Sequence, residues 1–154
     1  QGVSSAASDV YKRQEFIVRE REKAVYNNKV IQMRLLHGHR LLFFPEGTSS
    51  DGRRILPFKP TLFEAFLVPE LYEKISIQPV TLIFHAPEGQ DPRFYAWWGD
   101  SNLFDHLLKA LTIKQHGTVQ VVYHTPVAVN DFSDRKALAR HLETQVGSAL
   151  PWNS

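Results

Sequence analysis

Cysteine is absent from the 154 residues. That excludes a disulfide framework and a cysteine-ligated zinc site, and it fits a reducing compartment. Long apolar runs are missing as well. The longest uncharged stretch, Gln115 to Asn130, contains Gln, His, Asn and Thr. It falls short of the roughly 18 apolar residues that a membrane span requires. The chain does not open with the basic-then-apolar layout of a signal peptide. No Gly-x-Ser-x-Gly elbow surrounds Ser49 or Ser50, which removes the hydrolase nucleophile reading. Basicity is modest and no stacking platform accompanies it, so nucleic acid is not an expected partner.

What is present describes one folded domain. Hydrophobic residues make up 43% of the chain, with three Trp, ten Phe and five Tyr, enough to exclude intrinsic disorder. Charge is distributed unevenly. Residues 1–59 hold eleven Lys/Arg against six Asp/Glu, a surplus of five; residues 60–154 hold seven against ten, a deficit of three. Together these give the formal net charge of +2. A basic half beside an acidic half points to an anionic ligand or surface on one side.

Residues 1–14 are small and polar with no usable period, and the pattern changes abruptly at Glu15. This opening reads as a non-native leader, leaving 15–154 as the domain, entered partway through. Glu15–Arg19 then reads as the end of a strand. Glu20 to Leu36 reads as a helix with Ala24, Asn28, Ile31 and Leu35 on one face and Gly38 as its C-terminal cap. Arg40–Phe44 is expected as a short buried strand, followed by a loop from Pro45 to Pro60. Thr61 to Val68 should form a short helix stopped by Pro69. Ile75–Ala86 is β-branched and reads as one strand, with Pro79 at an edge or a bulge. Further strands are expected at Phe94–Trp98 and Thr118–His124. Leu103, Phe104, Leu107, Leu108 and Leu111 share one helical face after the capping candidates Asp100 and Ser101. That stripe reads first as core-facing, with a membrane surface as the alternative. Trp97 and Trp98 likewise read as core or as a lipid interface. A last helix spans Ser133 to Ser148, with Leu138, Leu142, Gln145 and Val146 on one side. Strands alternating with helices predict an α/β fold: a mixed, mainly parallel sheet flanked by helices.

The most specific stretch is Phe43-Phe44-Pro45-Glu46-Gly47-Thr48-Ser49-Ser50-Asp51-Gly52. Part of it is ordinary loop chemistry: Pro ends a ladder, Gly permits positive φ, and Ser, Thr and Asp make local turns. Three features go beyond that. An acidic residue sits just past an apolar strand, small hydroxyl residues follow, and Arg53, Arg54 and Lys59 arrive within the same loop. Open α/β sheets bind ligands beyond the carboxyl ends of their strands, where this loop would lie. His37-Gly38-His39 is better read as a polar helix end than as a metal site, since no third ligand is placed.

The stretch FPEGTSS resembles the Phe-Pro-Glu-Gly-Thr motif of the glycerolipid acyltransferases, the 1-acyl-glycerol-3-phosphate acyltransferase family. Three further segments agree in order. Phe16-Ile17-Val18-Arg19 resembles the family's Phe-Ile/Val-x-Arg segment, Leu56-Pro57-Phe58-Lys59 its Pro-Phe-Lys, and Ile77-Gln78-Pro79-Val80 its apolar-x-Pro-Val strand. Phe94-Tyr95-Ala96-Trp97-Trp98-Gly99-Asp100 resembles a bacterial branch that includes lyso-ornithine lipid acyltransferases.

The resemblance implies transfer of a fatty acyl group from a thioester, on coenzyme A or acyl carrier protein, to the free hydroxyl of a lysolipid. The expected acceptor is 1-acyl-glycerol-3-phosphate, with lyso-ornithine lipid as the alternative. It implies no metal or organic cofactor and a place on the cytoplasmic face of the bacterial inner membrane. The family's base and orienting carboxylate come from a His-x-x-x-x-Asp motif preceding the Phe-Ile/Val-x-Arg segment. None of the seven His here has Asp five positions on, so no catalytic residue is assigned to this chain and an isolated fragment is expected to be inactive. By resemblance, Arg19 would hold the acceptor phosphate, a task suited to a planar, permanent cation. Glu46 would position Arg19 or accept a hydrogen bond from an acceptor hydroxyl. Gly47 and Thr48 would let backbone amides approach the ligand. Many relatives have Arg after the Glu-Gly-Thr, where this chain has Ser49; Arg53 or Lys59 would compensate, or the acceptor carries no phosphate monoester. A non-catalytic lipid-binding module is the rival from another class.

Overall fold

The computed structural model describes residues 21–96 and 103–151. Arg19, the Glu15–Arg19 strand, the capping candidates Asp100 and Ser101, and Trp97 and Trp98 lie outside the described residues.

Helix α1 spans Arg21–Leu36. Gly38, at φ 77°, ends it. Its amide donates to the Leu35 carbonyl at 2.9 Å and the His39 amide to the Arg34 carbonyl at 3.0 Å, the paired bonds of a Schellman cap. His37 Nδ1 donates to the Met33 carbonyl at 2.6 Å, so this histidine serves the helix end. A 3₁₀ helix, Pro60–Phe66, and the single-turn helix α2, Pro69–Tyr72, follow. Pro69, expected as a stop, instead starts α2, because a first helical position has no use for the amide proline lacks.

Strand β1 is Ser76–Ile77 and β2 is Val80–His85. Helix α3 covers Leu103–Thr112, β3 Thr118–Tyr123, β4 Val127–Ala128 and α4 Arg135–Ser148. The single strand expected from Ile75 to Ala86 is divided at Gln78-Pro79, since Pro79 cannot donate to a ladder. β1 pairs antiparallel with β4, Ser76 opposite Ala128, while β2 pairs antiparallel with β3, from Val80 opposite Tyr123 to His85 opposite Thr118.

The α/β class holds, but the expected mainly parallel sheet does not: every ladder among the described residues is antiparallel. The physical reason lies in two segments. Arg40–Phe44 has no regular secondary structure and joins no ladder among the described residues, so it closes no parallel β-α-β unit. Phe94 to Ala96 is not a strand either. The Asp91 carbonyl accepts from the Phe94 amide and the Arg93 carbonyl from the Ala96 amide, at 2.8 and 2.9 Å, making successive turns opened by Asp91-Pro92.

The core forms where α1 and α4 both pack on the 3₁₀ helix. Phe58, Phe63, Phe66, Val129, Leu138, Leu142 and Val146 are buried there, with Ile31 and Leu35 of α1 against them. Asp134 caps α4 by accepting from the Lys136 and Ala137 amides at 2.6 and 2.9 Å. Those two bonds, Ala137's first, hold its carboxyl below the usual range. Thr81 ties the β2–β3 ladder to α4: its hydroxyl donates to the Val146 carbonyl at 2.7 Å. That uses its one proton, so the 2.8 Å contact with His124 Nε2 makes the ring the donor.

Candidate functional site

Burial alternates along residues 40–44, before the Pro-Glu-Gly-Thr stretch. Phe43 turns inward, its ring 5.5 Å from Phe63 and 5.7 Å from Phe66, while Leu42 and Phe44 are exposed. This anchors the entrance of the loop on the core. The Gly47 amide then donates to the Phe44 carbonyl at 3.1 Å, with Gly47 at φ 65°. A side chain at that φ is disfavoured, which is why glycine stands there. The far end returns to the near end: the Lys59 amide donates to the Pro45 carbonyl at 2.9 Å. Residues 45–59 are therefore a closed surface loop of the Ω kind.

Its interior is held by carboxylates and a hydroxyl. Glu46 Oε2 accepts from the Leu56 amide at 2.8 Å, a bond across the loop. Asp51 Oδ1 accepts from the Arg53 amide and Ser50 Oγ from the Gly52 amide, both at 3.2 Å, the local turns that these residue types favour. Helix α4 supplies the outer clamp: Glu143 Oε2 accepts from the Phe58 amide at 2.8 Å. Partial burial pushes the Glu46 carboxyl up; the Leu56 bond opposes this and the nearby Glu143 charge adds to it.

The structure thus brings together Glu46, Gly47 and Lys59. The Lys59 side chain lies over Gly47 so closely that a Cβ there would stand 3.1 Å from Nζ. Thr48 and Ser49 are exposed on the same rim, and Arg53 is half-buried further round the loop. Expected contacts of Glu46 with Arg19 fall outside the described residues. Glu46 instead spends Oε2 on the loop's own backbone. Sequence reasoning missed Glu143, and no local signal marks it, because its partner lies 85 residues away.

The loop's tip also reaches a second motif. A Cβ on Gly52 would lie 3.5 Å from the Ala96 Cβ, so the Glu-Gly-Thr loop abuts the Phe94–Ala96 turn. Asp51 adds to the field that holds Arg93 charged there, after the direct Arg93–Asp91 pair. A shallow depression of about 400 Å³ lined by Leu67, Pro69, Tyr72, Glu73 and Ser133 includes none of these residues. Among the described residues no group of His, Asp and Glu is arranged to hold a metal.

A family model described as Acyltransferase matches residues 5–83, just over half of the chain. Three similar proteins are each named lyso-ornithine lipid O-acyltransferase. The one from Rhodobacter capsulatus is 47% identical over 135 residues, covering 88% of this chain and 49% of the relative. That from Brucella abortus is 35% identical over 150 residues (92% and 56%), and that from Rhizobium meliloti 31% over 144 (88% and 48%). The chain spans about half the length of the curated relatives it matches. No solved structure matches it.

Proposed function

Because this chain belongs to the acyltransferase family, we propose that it is the acceptor-binding part of an enzyme that acylates a lysolipid, and that the acceptor is lyso-ornithine lipid. The observation that carries this reading is the 47% identity to a protein of that name. In the reaction the acceptor's hydroxyl oxygen attacks the thioester carbonyl carbon. The new C–O ester bond forms, the C–S bond breaks, and the hydroxyl proton leaves through a base to the departing thiolate. Coenzyme A or acyl carrier protein would carry the acyl group, with no metal or organic cofactor. The base and its orienting carboxylate are not among this chain's assigned residues.

What this chain contributes is a pre-shaped loop. Pinning by Glu46 and Glu143 removes the ordering cost that a loose loop would incur on binding. The Lys59 ammonium beside Gly47, with the exposed Thr48 and Ser49, suits a singly charged carboxylate. A phosphate monoester would call for a second strong cation, where this chain has Ser49 in place of arginine. Arg53 and Arg19 would add to the positive field on the carboxylate side, since the ornithine ammonium at the far end would be repelled by them. Ala96, in the stretch that resembles the lyso-ornithine branch, lies against the loop tip at Gly52. The enzyme would work at the cytoplasmic face of a membrane; no helix among the described residues is long and apolar enough to cross one.

The test is a competition assay on the protein carrying this chain, with lyso-ornithine lipid and lysophosphatidic acid as acceptors. Wild type should prefer lyso-ornithine lipid, and Ser49→Arg should shift the kcat/KM ratio toward lysophosphatidic acid by about tenfold, one charge-assisted contact. An initial preference for lysophosphatidic acid refutes the acceptor assignment. An unchanged ratio in Ser49→Arg refutes head-group reading at this position.

A further inference from the structure

Helix α3 is mounted with its polar side inward. Phe104, Leu107, Leu108 and Leu111 are between 50% and 70% exposed. On the opposite side, His106 and Ala110 are half-buried, and the Lys109 ammonium lies 4.9 Å from the centroid of the buried Phe94 ring. The expected core-facing stripe is therefore overturned: a cation–π contact seats the helix and its leucines point away from the protein. The chain of rings continues from Phe94 to Tyr95 at 4.9 Å and from Tyr95 to Phe84 at 6.2 Å. Phe84 belongs to the outer face of the β2–β3 ladder, where Leu82, Val119, Val121 and Tyr123 are also exposed. An outward apolar stripe on a short helix is the pattern of an interfacial helix, which lies in the headgroup layer without spanning it.

We propose that α3 is a membrane-docking helix that seats its Phe104/Leu107/Leu108/Leu111 stripe in the interfacial layer of an anionic bilayer. The charge around the stripe favours that occupant over a protein surface. Lys114 and His116 are exposed directly after the helix, at the end of the stripe, while the Lys109 ammonium is held over Phe94 on the other side. Cations flanking an apolar stripe complement anionic headgroups. Docking here would set the Phe94–Ala96 turn, and the Glu-Gly-Thr loop against it, beside the surface from which a one-tailed lipid is drawn. The inference rests on the lipid-acceptor reading for its purpose, while its test does not.

The full chain is co-sedimented with vesicles of equal parts phosphatidylcholine and phosphatidylglycerol, and with phosphatidylcholine alone, with no acyl donor present. The chain should bind the mixed vesicles more tightly. The double variant Leu107→Ser/Leu111→Ser should lower the partition coefficient at least about tenfold. Its unfolding temperature should stay within about 2 °C, since both side chains are at least half exposed. As an independent probe, Leu111→Trp should gain fluorescence quenching by brominated lipid beyond that of the wild type. Absence of binding, equal binding by the double variant, or no added quenching overturns the proposal. So does a concentration-dependent dimer that the double variant dissociates, which assigns the stripe to a second copy. A fall of many degrees in the variant's unfolding temperature also overturns it, because the stripe then packs within the protein. Since no transfer is measured, an inactive enzyme leaves the vesicle result standing, and failed docking leaves acceptor preference in detergent untouched.

Discussion

Replacing Glu46 by Gln and by Ala separates its shape from its charge. The carboxylate accepts from the Leu56 amide at 2.8 Å across the loop. A hydrogen bond to a charged group contributes about 1.5–3 kcal/mol, and relief of partial burial and of the Glu143 repulsion offsets some of it. Glu46→Ala should therefore destabilise the chain by about 1–2 kcal/mol, a fall of roughly 2–8 °C in unfolding temperature. Glu46→Gln keeps an oxygen for Leu56 and removes the charge, so its cost near neutral pH should be under about 0.5 kcal/mol. The pH dependence has an unusual sign. Burial raises the folded-state value of this carboxyl above its ordinary 4.5, so the folded chain binds the proton more tightly than the unfolded one. Its contribution is greatest below 4.5 and is lost as pH rises through the raised value, opposite to a salt-bridged carboxylate. Urea unfolding followed by tryptophan fluorescence, from pH 4.5 to about 7.5, measures both effects. The wild type should lose ground to Glu46→Gln as pH rises. If Gln destabilises as much as Ala, or if the wild type gains on Gln with rising pH, the assigned role of Glu46 is wrong.

Other perturbations test the frame around the loop. Gly47→Ala should cost about 1–2 kcal/mol for the left-handed backbone. It should also displace Lys59 and weaken acceptor binding, read as a raised KM in the full enzyme. Thr81→Val should cost about 1–3 kcal/mol by orphaning the Val146 carbonyl and His124, while Thr81→Ser, which keeps both bonds, should cost less; denaturant titration distinguishes them. Asp134 supports α4 above its ordinary 3.8, and that support is lost as pH falls through its lowered folded-state value. Asp134→Asn should flatten this acid limb in circular dichroism while keeping the cap.

The parts legible in sequence were those set by local chemistry. The cap at Gly38 follows from glycine's access to positive φ, and the apolar spacing of Leu138, Leu142 and Val146 gives the buried face of α4. The Pro-Glu-Gly-Thr loop was legible as a site because its residue types are costly to place by accident between a strand-like run and a cluster of cations. Its closure was not, since Leu56 and Glu143 meet the loop through a backbone amide and a distant helix. Three other features depended on tertiary partners. The stripe of α3 is visible as a pattern, but a pattern does not say which side meets the protein. The aromatics of Phe94–Trp98 have strand propensity, yet Asp91-Pro92 imposes turns over residues 94–96. The mainly parallel sheet assumed that Arg40–Phe44 would find a strand neighbour, and it finds none among the described residues.

The bond from the Phe58 amide to Glu143 has a consequence for motion. Surface loops ordinarily open on their own, with little free energy separating closed from open. Here one wall of the loop is fastened to α4, whose inner face packs into the buried core. Release of the Phe58 amide to solvent exchange should then follow the unfolding of that helix as one cooperative unit. The loop proposed to receive the acceptor is thus kept in shape by a side chain 85 residues further along the chain.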